Sequence, residues 1–295
     1  MNYLKILLKL LNHPNNKDAK IAAIGRILWW KINQLYFHFP VVAPLTNTTK
    51  ILCYPDNSYG SFVVYARFPE YMELKFVEEY LQPTDNFIDV GAHIGDFSIV
   101  AASRILKGTI LAFEPTTETV HEFRQNLLLN EMTDRVTILE KAVSNKNGTI
   151  HFELESESEI NHISAKSSAK TRKVATTKLD TVCAEHQLLF VDLLKVDVEG
   201  AEGLVFAGAQ SLLSTQKIGV ILFEVNPKMK QYSTTTADLC SLLESHGYTL
   251  FSVTEKGLKA FSYKSFTLTN TINLVAVSHR AKVQRRVKKF IHDNN

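Results

Sequence analysis

Cysteine is scarce in this chain and badly spaced for chemistry. Cys53, Cys183 and Cys240 are the three cysteines in 295 residues, with no C-x-x-C pair. That excludes a zinc knuckle and a disulfide framework, and the three read as reduced, buried small side chains. Long uncharged apolar runs are missing too. The stretch from Leu35 to Leu45 contains His38, Pro40 and Pro44 and is too short to span a bilayer. Lys5 and Lys9 interrupt the first apolar run, which makes it a poor signal peptide. There is no internal repeat, no low-complexity block and no His-rich spacing to support a metal. The chain therefore reads as cytoplasmic.

Acid is absent where base is concentrated. Residues 1–50 carry a net charge of +6 and residues 279–295 carry +5, which leaves −8 on residues 51–278 of a chain whose total is +3. A mildly acidic body gives no reason to expect sequence-specific nucleic-acid binding. Two basic ends suit an anionic surface, so peripheral contact with a membrane is one expectation. Residues 279–292 sharpen it. Val283, Val287, Phe290 and Ile291 share one helical face, and Arg280, Lys282, Arg285, Arg286, Lys288 and Lys289 surround it. A solvated, partly packed tail is the plainer alternative.

What the chain does have is a hydrophobic content of 45%, ordinary for a globular core, and an alternation of strands and helices. Helices are expected over 3–11, 18–36 and 71–81. Strands at 50–54 and 61–65 are expected to form a hairpin around Pro55-Asp56-Asn57. From residue 86 the pattern is that of a mostly parallel sheet. Strands read at 86–90, 109–113, 136–139, 193–198, 218–223, 248–253 and 272–277, with helices at 118–130 and 237–246 between them. Alternating segments at 149–153 and 173–179 look like a paired excursion from the sheet. Between them, 156–168 reads as a polar loop or lid.

Chemistry concentrates at the strand ends. The first strand runs Phe87-Ile88-Asp89-Val90 into Gly91-Ala92-His93-Ile94-Gly95 and then a helix. A tight glycine turn of this kind lets backbone amides approach a ligand. It is not the G-x-G-x-x-G dinucleotide fingerprint, and its acid does not suit a diphosphate. An acidic turn instead suits a cationic or zwitterionic head such as that of S-adenosylmethionine. The next strand ends on Glu114-Pro115, where an acid can take two hydrogen bonds from a ribose diol. Two later strands end in Asp197-Val198-Glu199-Gly200 and in Glu224-Val225-Asn226-Pro227. Ligands in open α/β sheets bind outside the carboxyl ends of the strands, so Asp89, Glu114, Asp197, Glu199 and Glu224 are expected to rim one crevice.

With Asp89-Val-Gly-Ala-x-Ile-Gly95, Ala112-Phe113-Glu114-Pro115, Asn126-x-x-x-Asn130 and Lys195-x-Asp197-Val198-Glu199-Gly200-Ala201-Glu202, the chain resembles the FkbM-type S-adenosylmethionine-dependent methyltransferases over roughly residues 75–226. The resemblance implies a Rossmann-like, seven-stranded class I methyltransferase sheet with helices on both faces and a final antiparallel strand. It also implies O-methylation, often of sugars or secondary metabolites. His93 departs from the Asn usual at that position.

The expected organisation is an N-terminal helical and hairpin extension (1–82), the methyltransferase domain (83–278) and the basic tail (279–295). Carried over by motif, Asp89, Gly91, Ala92, His93 and Gly95 would surround the methionine moiety. Glu114 and Pro115 would lie at the ribose, Ala142 and Val143 near the adenine, and Asp197 where the methyl points. Asp197, Glu199 or His93 can serve as base or orient the acceptor, with His162 a distant second histidine. Asp197 and Glu199 can equally well only shape their loop through backbone or Lys195 contacts. Glu224 and Asn226 are candidates for touching the acceptor, and Glu202 for capping the next helix. The expected acceptor is a small molecule or glycan. A lipid, peptide or RNA acceptor, or a module that binds the cofactor without turnover, are the alternatives.

Overall fold

The computed structural model describes residues 7–8, 10–67, 70–153, 162–164, 171–264 and 266–292. The helix expected at 3–11 and the loop expected at 156–168 fall largely outside them.

The N-terminal part differs from expectation in one respect. Helix Lys20–Ile32 continues through a π-helical turn, Asn33–Phe37. Strands β1 (Val41–Pro44) and β2 (Lys50–Cys53) then pair antiparallel. The hairpin is therefore built from 41–44 and 50–53, not from 50–54 and 61–65. Thr46 makes its turn, accepting the amides of Thr48 and Thr49 on Oγ1, each at 3.1 Å. The β-branched and aromatic run Phe62-Val63-Val64-Tyr65 lies inside helix Ser58–Ala66. Its start is capped by the Asn57 side chain, which accepts the Gly60 amide at 3.1 Å. Burial of Val63, Val64, Tyr65 and Ala66 in succession removes the two-sided alternation that a strand would use, so packing overrides β propensity here.

Helix Tyr71–Tyr80 leads into the main sheet. Its strands are β3 (Phe87–Val90), β4 (Ile110–Phe113) and β5 (Thr137–Leu139). Strands β6 (Ala142–Val143), β7 (Gly148–Glu153), β8 (His162–Ser164) and β9 (Thr171–Thr177) form a separate four-stranded sheet, order β6-β9-β7-β8. This is the expected excursion, with His162 inside it. The main sheet resumes with β10 (Val191–Val196), β11 (Ile218–Val225), β12 (Tyr248–Thr254), β13 (Gly257–Ala260) and β14 (Ile272–Ser278). Its order is β13-β12-β14-β11-β10-β3-β4-β5. The seven strands expected are present, with β13 as an eighth on the edge. Strand β14 runs antiparallel between β11 and β12.

Both faces of the sheet are packed, which is why its strands read as continuous apolar runs. Successive residues alternate between two cores. Phe87, Leu193 and Val275 pack with Leu74, Ile99, Phe123 and Val283. Ile88, Leu194 and Leu274 pack with Val182, Val205, Leu212 and Leu239 on the other side. Strand period and helix period meet in the same place on each face.

The C-terminal helix Ala281–Val287 belongs to the first of these cores. Val283, Val287 and Phe290 are buried. The Arg286 guanidinium pairs with Asp85 and stacks 3.9 Å over the Tyr80 ring. The apolar face that would have met a lipid surface is occupied by the protein itself.

Candidate functional site

Strand register builds the site. Val90 lies opposite Phe113 and Val196, and Val196 opposite Phe223. The residues that follow are Gly91, Glu114, Asp197 and Glu224, so four parallel strands deliver them to one edge in a row. A cavity of about 260 Å³ opens there. Gly91, His93, Glu114, Pro115, Ala142, Val143, Asp197, Glu199 and Glu224 line it, all singled out from sequence.

Asp89, Ala92, Gly95 and Asn226 do not line it, and each has a visible task behind the wall. Asp89 is fully buried and accepts the Ser98 hydroxyl at 2.7 Å. Ala92 donates its amide to the Phe113 carbonyl at 2.9 Å. Gly95 sits at φ +89°, and a Cβ there would meet the Phe123 ring at 2.0 Å. Asn226 caps a 3₁₀ turn through the Lys228 amide at 2.9 Å and donates its side-chain amide to Glu224.

The glycine turn is shaped by close backbone approach. Gly91 has φ +80°, and a Cβ would stand 1.8 Å from the Asp197 carbonyl oxygen. Glu114 holds the turn from the next strand, accepting the His93 amide at 3.1 Å and the Thr116 amide at 2.9 Å on separate oxygens. The Thr116 side chain adds a hydrogen bond to the same carboxylate, which leaves it room for a further donor.

Lys195 is the electrostatic hub. It lies opposite Asp89 in register. Its ammonium donates to the Gly91 carbonyl at 2.9 Å and sits 3.5 Å from Asp197 and 3.6 Å from Asp89. Burial works against its charge, but Asp197, Asp89, Glu70 and Asp96 outweigh it and raise its pKa, so it stays an ammonium. Burial pushes Asp96 up to about 6 and Glu224 up to about 9, the latter helped by Asp197. Burial followed by Asp197 drives Glu70 well above its ordinary value. At neutral pH Glu224 is therefore a neutral carboxylic acid, able to donate a hydrogen bond.

His93 sits at φ +50° with its ring edge-on to Tyr59, centroids 5.2 Å apart. Burial, with Lys195 nearby, lowers its pKa to about 4, so the imidazole is neutral. Its Nε2 is buried without a hydrogen-bond partner among the described residues. Glu199 is tied to Lys228 at 2.7 Å. Glu202 accepts the amides of Val198 and Gly200 at 3.1 and 3.2 Å, gripping the loop before the helix that it begins.

Several lining residues carried no sequence signal. Tyr59 and Glu70 come from the N-terminal part, and Asp96, Phe97, Thr116 and Lys141 complete the wall. Tyr59 donates its hydroxyl to Asp96. Adjacency to Gly95 could have exposed Asp96. Nothing in the sequence links Tyr59 to a strand end more than thirty residues away. The Asn126 and Asn130 pair, part of the recognised pattern, lies outside the cavity: Asn126 accepts the Leu52 amide at 2.7 Å and Asn130 the Lys50 amide at 2.8 Å, clamping β2 to helix Thr117–Leu129.

A sheet in this order, with one antiparallel strand inserted near an edge and an acid-rimmed cavity at the carboxyl ends, is the class I methyltransferase architecture. A model of the methyltransferase FkbM domain matches residues 89–250. The chain belongs to that family. A curated relative, the 2-O-methyltransferase NoeI of Sinorhizobium fredii (strain NBRC 101917 / NGR234), is 28% identical over an alignment of 150 residues that covers 45% of this chain and 60% of the relative. The match thus spans less than two thirds of that protein. Among solved structures, precorrin-6y C5,15-methyltransferase from Geobacter metallireducens GS-15 aligns with a TM-score of 0.40 at 18% identity, covering 72% of this chain and 89% of its own. A SAM-dependent O-methyltransferase from Thermotoga maritima aligns with a TM-score of 0.38 at 14% identity, covering 72% and 66%. The fold assignment rests on strand order and register rather than on these alignments.

Proposed function

We propose that the chain is an S-adenosylmethionine-dependent methyltransferase that methylates a hydroxyl group, with a sugar or glycan as acceptor. Family membership supports methyl transfer, and the 2-O-methyltransferase relative supports an oxygen acceptor. The observation that carries the reading is the single row of Gly91, Glu114, Asp197 and Glu224 along one cavity. The cofactor fits these residues: a wall without a Cβ, a carboxylate at the strand end for the ribose, and an acidic lining for a sulfonium and an ammonium.

In this reading Glu114 receives the ribose hydroxyls with Pro115 beside it, and Ala142 and Val143 flank the adenine. The Gly91–His93 turn receives the methionine end, while Asp89, Ala92 and Gly95 support that turn from behind. The bound sulfonium supplies an already activated methyl carbon. The protein's remaining work is to align the acceptor and take up its proton. Asp197 accepts the hydrogen bond of the attacking hydroxyl, positioned by the same Lys195 that holds Gly91. His93, which burial beside Lys195 keeps neutral, offers its ring as a hydrogen-bond partner there rather than as a store for the proton. Glu224, protonated and steadied by Asn226, donates to a neighbouring acceptor oxygen. Tyr59 and Glu70 face the acceptor side, and Glu199, held by Lys228, closes the rim.

Calorimetric titration with S-adenosylmethionine tests the cofactor half. Glu114→Ala is expected to weaken binding by about 10–100-fold; unchanged affinity would remove the ribose role. Asp197→Asn is expected to keep cofactor affinity and lower turnover by roughly 10²–10⁴-fold. Transfer of labelled methyl into cellular lipid or RNA, with none into glycans, would overturn the acceptor class.

A further inference from the structure

Helix Lys20–Ile32 and its continuation Asn33–Phe37 point two different faces in two directions. The inward face holds Ala23, Trp30 and Asn33, all buried. Trp30 donates its indole N–H to the Ser61 hydroxyl at 2.9 Å, and Arg26 reaches Asn16 at 2.6 Å. The outward face is apolar. Ile21 is 89% exposed, Leu28 59%, Trp29 49%, Leu35 69% and Tyr36 75%. At about 100° per residue Ile21, Leu28 and Trp29 occupy one continuous arc, and Leu35 and Tyr36 extend the exposed apolar surface along the π-helical turn. Just beyond the helix Phe37 and Phe39 stack with centroids 6.1 Å apart, both more than half exposed. A contiguous apolar patch of this kind is rare on a monomer's surface and marks an interaction face.

Charge decides what covers it. Lys20 and Lys31 border the arc and are exposed. From Ala19 to Pro55 the chain has no aspartate or glutamate. Across a two-fold contact a second copy would bring the same lysines against these, and the exposed Asp18, just before the helix, leaves lysine in excess on both sides. An anionic lipid surface answers both features at once. Aromatic and aliphatic side chains enter the headgroup–acyl boundary while flanking lysines meet phosphates. At 13 residues the helix is too short to cross a bilayer, and among the described residues no helix is long and apolar enough to do so.

We propose that this face of Lys20–Phe37 seats the protein on an anionic membrane surface, with the helix lying in the plane of the interface. The inference stands on exposure and charge and does not depend on the chemistry of the cavity.

The test is co-sedimentation of the full chain with vesicles of phosphatidylcholine alone, and of phosphatidylcholine with about one third phosphatidylserine. Binding is expected to the anionic vesicles, weaker at raised salt. Leu28→Glu/Leu35→Glu should lower partitioning by about tenfold or more, with an unchanged melting temperature because neither side chain is buried. Lys20→Glu/Lys31→Glu should abolish the preference for phosphatidylserine while leaving the fold intact. Absence of binding to the anionic vesicles, or binding indifferent to Leu28→Glu/Leu35→Glu, overturns the proposal. A dimer in sedimentation equilibrium that the same pair of substitutions splits, with no vesicle binding, overturns it in favour of self-association.

Discussion

Two turns at neighbouring strand ends share one sequence recipe and are held by opposite means. Each combines an acid, a glycine and a helix start, although Asp89 lies inside β3, two residues before Gly91, whereas Asp197 and Glu199 follow β10 and precede Gly200. In the first turn the acid is withdrawn. Asp89 is fully buried behind the wall, and shape does the holding, since Gly91 touches the Asp197 carbonyl and Gly95 touches Phe123. In the second turn the acids come forward. Asp197 and Glu199 line the cavity, and hydrogen bonds to Glu202 do the holding. The glycine turn is thus intolerant of added volume, while the acidic turn is sensitive to charge and pH.

The sharpest test of that contrast is Gly91→Ala. It places a Cβ 1.8 Å from a backbone oxygen at φ +80°, and a loss of roughly 3 kcal/mol or more is expected in denaturant unfolding. A mild effect would mean that the turn yields, and the steric account would fail.

Next comes the pH response of the acidic turn. Burial raises Glu202 from 4.5 to about 7. The folded chain therefore keeps a proton that the unfolded chain has released. That contribution to stability is complete below 4.5 and is lost as the pH rises through 7. Its size is roughly 3 kcal/mol. Glu202→Gln should flatten this part of the stability profile, read from urea midpoints between about pH 4.5 and pH 8. Parallel profiles for variant and parent would place the titration elsewhere.

Gly200→Ala probes how far the second turn also depends on shape. Its Cβ would meet Lys228 and Met229 backbone atoms at 2.8 Å, at φ +100°. A loss of about 1–3 kcal/mol is expected, smaller than for Gly91→Ala; the reverse ranking would erase the distinction between the turns. The smallest effect belongs to Lys228→Ala. Its pair with Glu199 is about one third exposed on each side, and no more than about 1 kcal/mol is expected in thermal unfolding.

The sheet was legible because its strands are buried on both faces and so are written in uninterrupted apolar residues. The rim was legible because acids at strand ends are conspicuous after such runs. The edge strand β13 escaped notice, since Gly257-Leu258-Lys259-Ala260 buries only Leu258 and carries no pattern. The N-terminal hairpin was misplaced for a related reason. Phe62 to Tyr65 have the composition of a strand, and only the Asn57 cap and the burial of four successive side chains make them helical. Tyr59 and Glu70 could not be foreseen, because their place in the cavity follows from docking of the N-terminal part against the sheet. The outward stripe of Ile21, Leu28 and Leu35 illustrates a further limit. Periodicity says that a helix has two faces and leaves open which of them the core takes.

Strand β14 has a practical corollary for anyone shortening this protein. The FkbM match stops at residue 250, yet Ile272–Ser278 fills the lane between β11 and β12 with hydrogen bonds on both sides. Trimming to the matched segment would tear out an interior plank rather than a fringe. The same cut removes β13 and all of β12 past Leu250, and it leaves β11 with a raw hydrogen-bonding border of the kind that recruits other chains and precipitates. A minimal soluble version must run through Ser278.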